Sequence, residues 1–307
     1  MLPRVRSYRY IHLDVFTDRV LSGNQLAVFL DGRGLSAETM QAIAKEMNFS
    51  ETTFVLPSEQ RDTDFRVRIF TPAAELPMAG HPTVGTAFAL ARSGTIERGR
   101  DRVVFGLGIG PTSVAFTWHD EELAFAWMTQ GLPEFGAPIP DPAGAAAALR
   151  LPSAAITGTG LPVQTVSCGV PFLYVPLATR RAVDSASLDT EAYERFVRAA
   201  HLPELPVFLF SSETGGDKST VYSRMFAPAL GIAEDPATGV ASGPLGCYLV
   251  RHKVVAPERA GAMLSLQGVK MGRSSQIHIA VGMKHGEIMG VRIGGQAVVA
   301  GEGNLYL

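Results

Sequence analysis

Three places in the chain carry residues suited to moving a proton. Glu51 lies in the segment NFSETTF, His81 in AGHPTVG, and Asp235 in EDPATGV. A carboxylate set among apolar strand residues has a raised pKa and can serve as base and then as acid. His81-Pro82 and Asp235-Pro236 each precede a run of small residues that reads as a helix. Proline fits the first helical position because its missing N–H would be unpaired there anyway. The next main-chain donors would be Thr83, Val84 and Gly85 in one segment, and Ala237, Thr238 and Gly239 in the other. Unpaired N–H groups at the positive end of a helix dipole make an anion site, where a carboxylate or a developing enolate is stabilised. Each residue also has a plainer explanation. Asp235 suits an N-cap, His81 a structural histidine, and Glu51 a solvated position at a strand start.

The two proline segments resemble each other. RIFTPAAELPMAGHPTVGTAFAL and SRMFAPALGIAEDPATGVASGPLGCYL each begin as a strand ending in Phe-x-Pro-Ala. Each then makes a loop, reaches a polar residue before proline, and enters a small-residue helix. In this reading His81-Pro82 matches Asp235-Pro236, and Gly85 matches Gly239. The spacing is too long for a solenoid repeat and points to a duplicated half-molecule. If the halves pack face to face, both helix starts would point into one cleft.

The elements around these residues follow from hydropathy pattern and punctuation. Strands are expected at Tyr8–Phe16, Ala27–Leu30, Thr52–Leu56 and Phe65–Phe70, the last alternating Phe65, Val67 and Ile69 with polar residues. Ser36 reads as an N-cap before Met40, Ile43, Ala44 and Met47 at helical spacing. Pro82–Arg92 and Pro236–Arg251 read as the small-residue helices, and Asp141-Pro142 and Thr190 as the starts of two others. Further short strands are expected at Arg102–Phe105, Ser113–Phe116, Leu123–Trp127, Pro162–Ser167, Phe172–Pro176, Val207–Ser211 and Ser219–Phe226, with a strand-like end over Gln276–Val299. The Pro- and Gly-rich stretch Gly131–Pro142 reads as a domain connection. Strands outnumber helices without strict alternation, so the expectation is a mixed α+β fold, not a doubly wound parallel sheet.

Bulk composition narrows the function classes. At 307 residues the chain has room for two domains, and 46% hydrophobic against 18% charged residues supports full cores. A net charge of −2 with no run of like charges gives no footprint for nucleic acid. The N-terminus lacks a signal-peptide core and no stretch is long enough to span a membrane. Two cysteines, Cys168 and Cys247, make neither a disulfide framework nor a metal motif, and both read as buried and inert. The expected location is the reducing cytoplasm.

Taken together, DVFTDRVLSGNQLAVF, NFSETTFV, FTPAAELPMAGHPTVGTA and EDPATGVASGPLGCYL resemble the phenazine-biosynthesis-like (PhzF-like) isomerases, relatives of diaminopimelate epimerase. The resemblance covers nearly the whole chain. It implies two pseudo-symmetric domains, each a mixed, largely antiparallel, barrel-like sheet around a central helix, with the active site in the cleft between them. It divides the chain into 1–118 with about 291–307, and 119–290. It implies a cofactor-independent isomerase without a metal, usually a homodimer, acting on a small carboxylate. Glu51 would be the acid/base; His81 and Asp235 would line the site; and Asn24, Gly80, Thr83, Thr238 and Gly239 would meet the substrate. The chain departs from the family at Val240, where a serine is usual, and at Gln25, where a proline is usual. Both bear on the substrate more than on proton transfer. The related epimerases use a cysteine at each helix start; here those turns hold Gly80-His81 and Asp235. Two other readings of the same residues stand beside this one: a lyase or hydrolase acting on a small carboxylate, and a small-anion-binding or regulatory protein without turnover.

Overall fold

A computed structural model describes residues 6–307. The chain packs as two units: one runs to Thr129 and takes back Gly294–Leu307, and the other spans Gln130–Ile293. The first holds β1 (Ser7–Val15), β2 (Asn24–Phe29), α1 (Ala37–Met47), β3 (Glu51–Pro57), β4 (Phe65–Phe70), β5 (Glu75–Leu76), α2 (Gly80–Arg92), β6 (Arg102–Leu107), β7 (Gly110–His119) and β8 (Glu122–Gln130). The second holds β9 (Glu134–Ile139), α3 (Pro142–Ala148), α4 (Ala154–Thr157), β10 (Val163–Ser167), β11 (Pro171–Pro176), α5 (Arg180–Ser185), α6 (Thr190–Ala199), β12 (Val207–Ser211), β13 (Val221–Ala227) and β14 (Ile232–Asp235). It continues through α7 (Gly239–Arg251), β15 (Met263–Gln267), β16 (Ser275–Lys284) and β17 (Glu287–Gly295). The last strand, β18 (Ala297–Tyr306), returns to the first unit and pairs antiparallel with β1.

Within each unit the strands pair in the same succession. In the first, β1–β2 is antiparallel, β2–β3 parallel, β3–β4 and β4–β5 antiparallel, β4–β6 parallel and β6–β7 antiparallel. In the second, β10–β11 is antiparallel, β11–β12 parallel, β12–β13 and β13–β14 antiparallel, β13–β15 parallel and β15–β16 antiparallel. The fold is thus α+β, with a mixed and largely antiparallel sheet written twice. The echo in the sequence is the trace of that duplication.

The strands of each unit pack around one helix, α2 in the first and α7 in the second. Every residue of α2 from Gly80 to Leu90 is buried, as is every residue of α7 from Gly239 to Val250. A helix enclosed on all sides cannot be amphipathic, which is why both are built from small and apolar residues. Glycine lets the strands come close. A Cβ on Gly85 would lie 2.5 Å from Leu26 Cδ2, and one on Gly246 would lie 2.5 Å from Ile279 Cγ2. The other helices cover the outside. On α1, Met40, Ile43 and Ala44 pack with Phe29, Phe54 and Phe70. On α3 and α6, Ala145, Ala148, Tyr193 and Phe196 pack with Val207, Leu209 and Tyr222.

The two central helices are each 13 residues long, and their ends set their true correspondence. Thr83 Oγ1 donates to the carbonyl of Ala79, the N-cap of α2, and Ser242 Oγ donates to the carbonyl of Thr238, the N-cap of α7. At the other end, Thr95 N and Ile96 N close on the Leu90 carbonyl as Val254 N and Val255 N close on Leu249. Gly80 therefore stands with Gly239, and His81 with Val240. This corrects the match of His81-Pro82 with Asp235-Pro236. The helices start at Gly80 and Gly239, so Pro82 is the third helical residue of α2 and Asp235-Pro236 precede α7 altogether.

Other expectations moved less. Ser36 caps α1 by accepting from Thr39 N, and Asp141 caps α3 by accepting from Gly144 N. The Gly131–Pro142 stretch, read as a connection, contains β9, which pairs with β10; its Pro138 is tolerable where a strand needs no further donor. The GEGNLYL end, which carries no motif, belongs to β18.

Candidate active site

In the first unit, β2, β3 and α2 bring Asn24, Glu51 and His81 together. Asn24 and Glu51 each open their strand, and parallel pairing sets Leu26 opposite Glu51. His81 follows Gly80 in the first turn of α2. All are buried: Asn24 is 0%, His81 3% and Glu51 7% exposed. His81 Nε2 lies 3.3 Å from Glu51 Oε2, and His81 Nδ1 lies 3.1 Å from Asn24 Nδ2. Burial pushes the imidazole down to about 3, with a backbone hydrogen bond involving Gln25 opposing it in part, so the ring is neutral at neutral pH. An amide nitrogen only donates. In the tautomer in which Nδ1 accepts from Asn24, the ring proton sits on Nε2 and faces the glutamate. That nitrogen is buried, close to the carboxylate, and makes no hydrogen bond. In that tautomer it is a donor beside a buried carboxylate.

In the second unit, Asp235 ends β14 and is 4% exposed. It is not the N-cap of α7; Thr238 is, and the Thr238 hydroxyl donates to Asp235 Oδ2 at 2.5 Å. Gln267, at the end of β15, ties this turn together. Its Oε1 accepts from Thr238 N at 3.0 Å, while its Nε2 donates to the Asp235 carbonyl at 2.8 Å and to Thr238 Oγ1 at 2.9 Å.

These geometries revise the list of free helix-start donors. With α2 starting at Gly80, the N–H groups of Thr83, Val84 and Gly85 lie beyond the first turn, and the open donors are those of Gly80 and His81. At α7, Thr238 N is taken by Gln267, which leaves the open positions to Gly239 and Val240. The Thr83 hydroxyl is likewise committed to Ala79 O at 2.6 Å.

Two glutamines escaped the sequence reading. Gln267 lies in MLSLQ, where Met263, Ser265 and Gln267 are buried while Leu264 and Leu266 are only partly so. Alternation alone would place the leucines inward and the glutamine in water. Gln130 is the other. Pro244 lies inside α7 and has no N–H for the carbonyl four residues back, Val240 O. Gln130 Nε2 reaches that carbonyl at 3.3 Å and Gly239 O at 3.4 Å. Only a pairing across the fold, invisible in the local pattern, could have revealed either.

Cys168 and Cys247 are both buried and free, and the Cys247 thiol is pushed up by a hydrogen bond with Cys168 and by burial. It stays protonated and is a poor nucleophile. Among the described residues, no cluster of three or more His, Cys, Asp and Glu is placed to hold a metal ion, and no helix is long and apolar enough to cross a membrane.

Known proteins share this sequence and fold along their full length. The family model described as phenazine biosynthesis-like protein matches residues 13–303. The trans-2,3-dihydro-3-hydroxyanthranilate isomerase of Pseudomonas aeruginosa is 36% identical over 301 residues, 98% of this chain and 100% of the relative. An uncharacterized isomerase of Mesorhizobium japonicum is 36% identical over 305 residues, 99% of this chain and 100% of its own. A PhzF-family protein of Bacillus anthracis superposes with a TM-score of 0.86 at 27% identity, covering 98% of this chain and 99% of the other. A hydroxyproline epimerase of Agrobacterium vitis, at 14% identity and a TM-score of 0.67 over 98% of this chain and 93% of its own, shares the fold. The likeness to isomerases over full length decides for an isomerase over the lyase, hydrolase and binding-protein readings. The chain belongs to the phenazine biosynthesis-like protein family, as an isomerase.

Proposed function

We propose that the protein shifts a proton between two carbons of a small unsaturated carboxylate, with Glu51 as the base and then the acid, and without a cofactor. The Glu51 carboxylate removes a proton from a carbon adjacent to the conjugated system. The electron pair left behind spreads into that system, and protonated Glu51 then delivers the proton to a different carbon. Atoms and electrons balance within substrate and protein, so no oxidant or reductant is required. The His81 Nε2–H offers a hydrogen bond to the charge that develops, or to Glu51 itself as its charge changes. Asp235, fixed by Thr238, holds a polar group of the same substrate, and the Gly239 and Val240 N–H groups suit its carboxylate.

The observation that carries this reading is the buried carboxylate of Glu51 with the neutral His81 imidazole 3.3 Å away. A neutral ring can donate without neutralising the base that it touches. The name of the Pseudomonas aeruginosa relative suggests trans-2,3-dihydro-3-hydroxyanthranilate as the first substrate to try. Val240, where the family usually has a serine, favours a substrate with an apolar edge at that point. Through the same resemblance we propose a cytoplasmic homodimer, a state that light scattering on the eluting protein would read directly.

The test is proton NMR in D₂O with trans-2,3-dihydro-3-hydroxyanthranilate and with other small cyclic unsaturated carboxylates. The expected result is a rearranged double bond with deuterium at the carbon that gains hydrogen, for wild type and not for Glu51→Gln. Rearrangement at the wild-type rate by Glu51→Gln would overturn the assignment.

A further inference from the structure

Gln267 is 0% exposed, and a buried amide is costly unless each polar atom finds a partner. Here the partners are Thr238 N, Thr238 Oγ1 and Asp235 O. The amide orientation is unambiguous. Turned over, Nε2 would face the Thr238 N–H and Oε1 would face the Asp235 carbonyl, two mismatches in place of two bonds. Because Thr238 Oγ1 accepts from Gln267, its one proton is directed to Asp235 Oδ2. The chain Gln267–Thr238–Asp235 therefore has one arrangement of protons, and it leads to a carboxylate in the turn before α7.

The fold does not demand this glutamine. Arg68 of β4 and Arg224 of β13 occupy the same place in the two repeats, each ahead of Phe-x-Pro-Ala. Counting from them, Arg66 opposite Gly106 corresponds to Tyr222 opposite Leu266. The next residue on the following strand is Leu107 in the first unit and Gln267 in the second. The same position is filled by a hydrocarbon where the turn before the helix carries no Asp–Thr pair.

We propose that Gln267 is a positioning residue for the isomerisation, acting through Thr238 to hold the Asp235 carboxyl in a single orientation toward the substrate. The proposal rests on the functional reading given above, and it makes Gln267 part of the machinery without touching the reacting atoms.

The test compares Gln267→Leu, the solution used in the first unit, with Gln267→Glu. Steady-state rates with trans-2,3-dihydro-3-hydroxyanthranilate are set beside melting temperature and the exchange rate of the Thr238 amide. Gln267→Leu is expected to remain folded, to free the Thr238 amide to exchange, and to lower kcat/KM at least tenfold. Adding it to Thr238→Val should cost nothing more, since the two act in series. Gln267→Glu should regain activity as the pH falls, because only the protonated carboxyl can both accept from Thr238 N and donate onward; Gln267→Leu should show no such recovery. A merely structural glutamine would lower the melting temperature and leave kcat/KM and its pH profile unmoved, and that outcome overturns the proposal. If wild type does not turn this substrate over, the failure belongs to the substrate assignment. Anthranilate binding then decides: tenfold weaker in Gln267→Leu supports positioning, and unchanged binding refutes it.

Discussion

The two units are the same scaffold carrying different chemistry. Arg68 donates to both carboxylate oxygens of Glu75 through Nε and Nη2 in the first, and Arg224 grips Glu234 in the same way in the second. Both pairs fix the loop that leads to the central helix. At the helix starts the likeness ends. Strand β3 begins with Glu51; opposite Phe70 comes Thr52, and opposite the equivalent Phe226 comes Val207, so the counterpart of Glu51 is Pro206. His81 is answered by Val240, and Leu107 by Gln267. The first helix start thus holds a buried carboxylate beside a neutral imidazole, and the second holds a carboxylate fixed by a hydroxyl and an amide. The repeated scaffold carries two helix ends of the kind that suits anions; in the proposed function one serves proton transfer and the other substrate anchoring.

Substitutions at these positions test the proposed division of labour. The largest effect short of Glu51 itself should come from Asp235→Asn. Losing a charged hydrogen-bond partner removes about 1.5–3 kcal/mol of transition-state binding, so kcat/KM should fall about 10- to 100-fold while deuterium exchange at saturating substrate persists. A loss of all exchange would put Asp235, not Glu51, at the centre.

His81 should be visible in the pH dependence of stability. Its folded-state pKa is depressed to about 3 from 6.5, so between those values the unfolded chain binds the extra proton and acid favours unfolding. Its contribution is intact above about pH 6.5 and falls by up to ~1.4 kcal/mol per pH unit below that. His252 and His278 are also lowered by burial and add to the wild-type slope. The comparison with His81→Gln isolates the share of His81: chemical denaturation at stepped pH should give a shallower acid slope for the variant. Equal slopes would mean that His81 is charged in the folded protein, and the contrast with Val240 would lose its meaning.

The smallest effects should come from the glycines of the central helices. A methyl at Gly85 meets the tips of Leu26 and Val15, whereas one at Gly246 meets Ile279, Met263 and Val281. Overpacking of ~1–3 kcal/mol is offset by roughly 1 kcal/mol of helix propensity, leaving about 0–2 kcal/mol. Gly246→Ala should be the worse of the two, since it meets three side chains, two of them β-branched, whereas Gly85→Ala meets one β-branched side chain and the flexible Leu26. Melting of the two variants side by side checks this order.

Much of this was legible in the sequence. Phe65–Phe70 and Val207–Ser211 were read to the residue, because one alternates cleanly and the other is a short apolar run between breakers. Ser36 and Asp141 announced their helices as caps do. The central helices were recognised but started at the wrong residues. Their N-caps, Ala79 and Thr238, make no side-chain cap bond, so the prolines, with Asp235 ahead of one of them, are the local signals, and they mislead. Glu51 and His81 stand out in local motifs and Asn24 through the family resemblance, and the first unit brings the three side chains together. Gln267 could not be, since its partners lie about thirty residues away and its strand buries the polar side.

The most direct test of the account is deuterium incorporation in D₂O measured for Glu51→Gln and Asp235→Asn side by side with wild type, at saturating substrate and with folding verified. The account predicts no label from Glu51→Gln and slow but definite label from Asp235→Asn. Label from Glu51→Gln at the wild-type rate would contradict it.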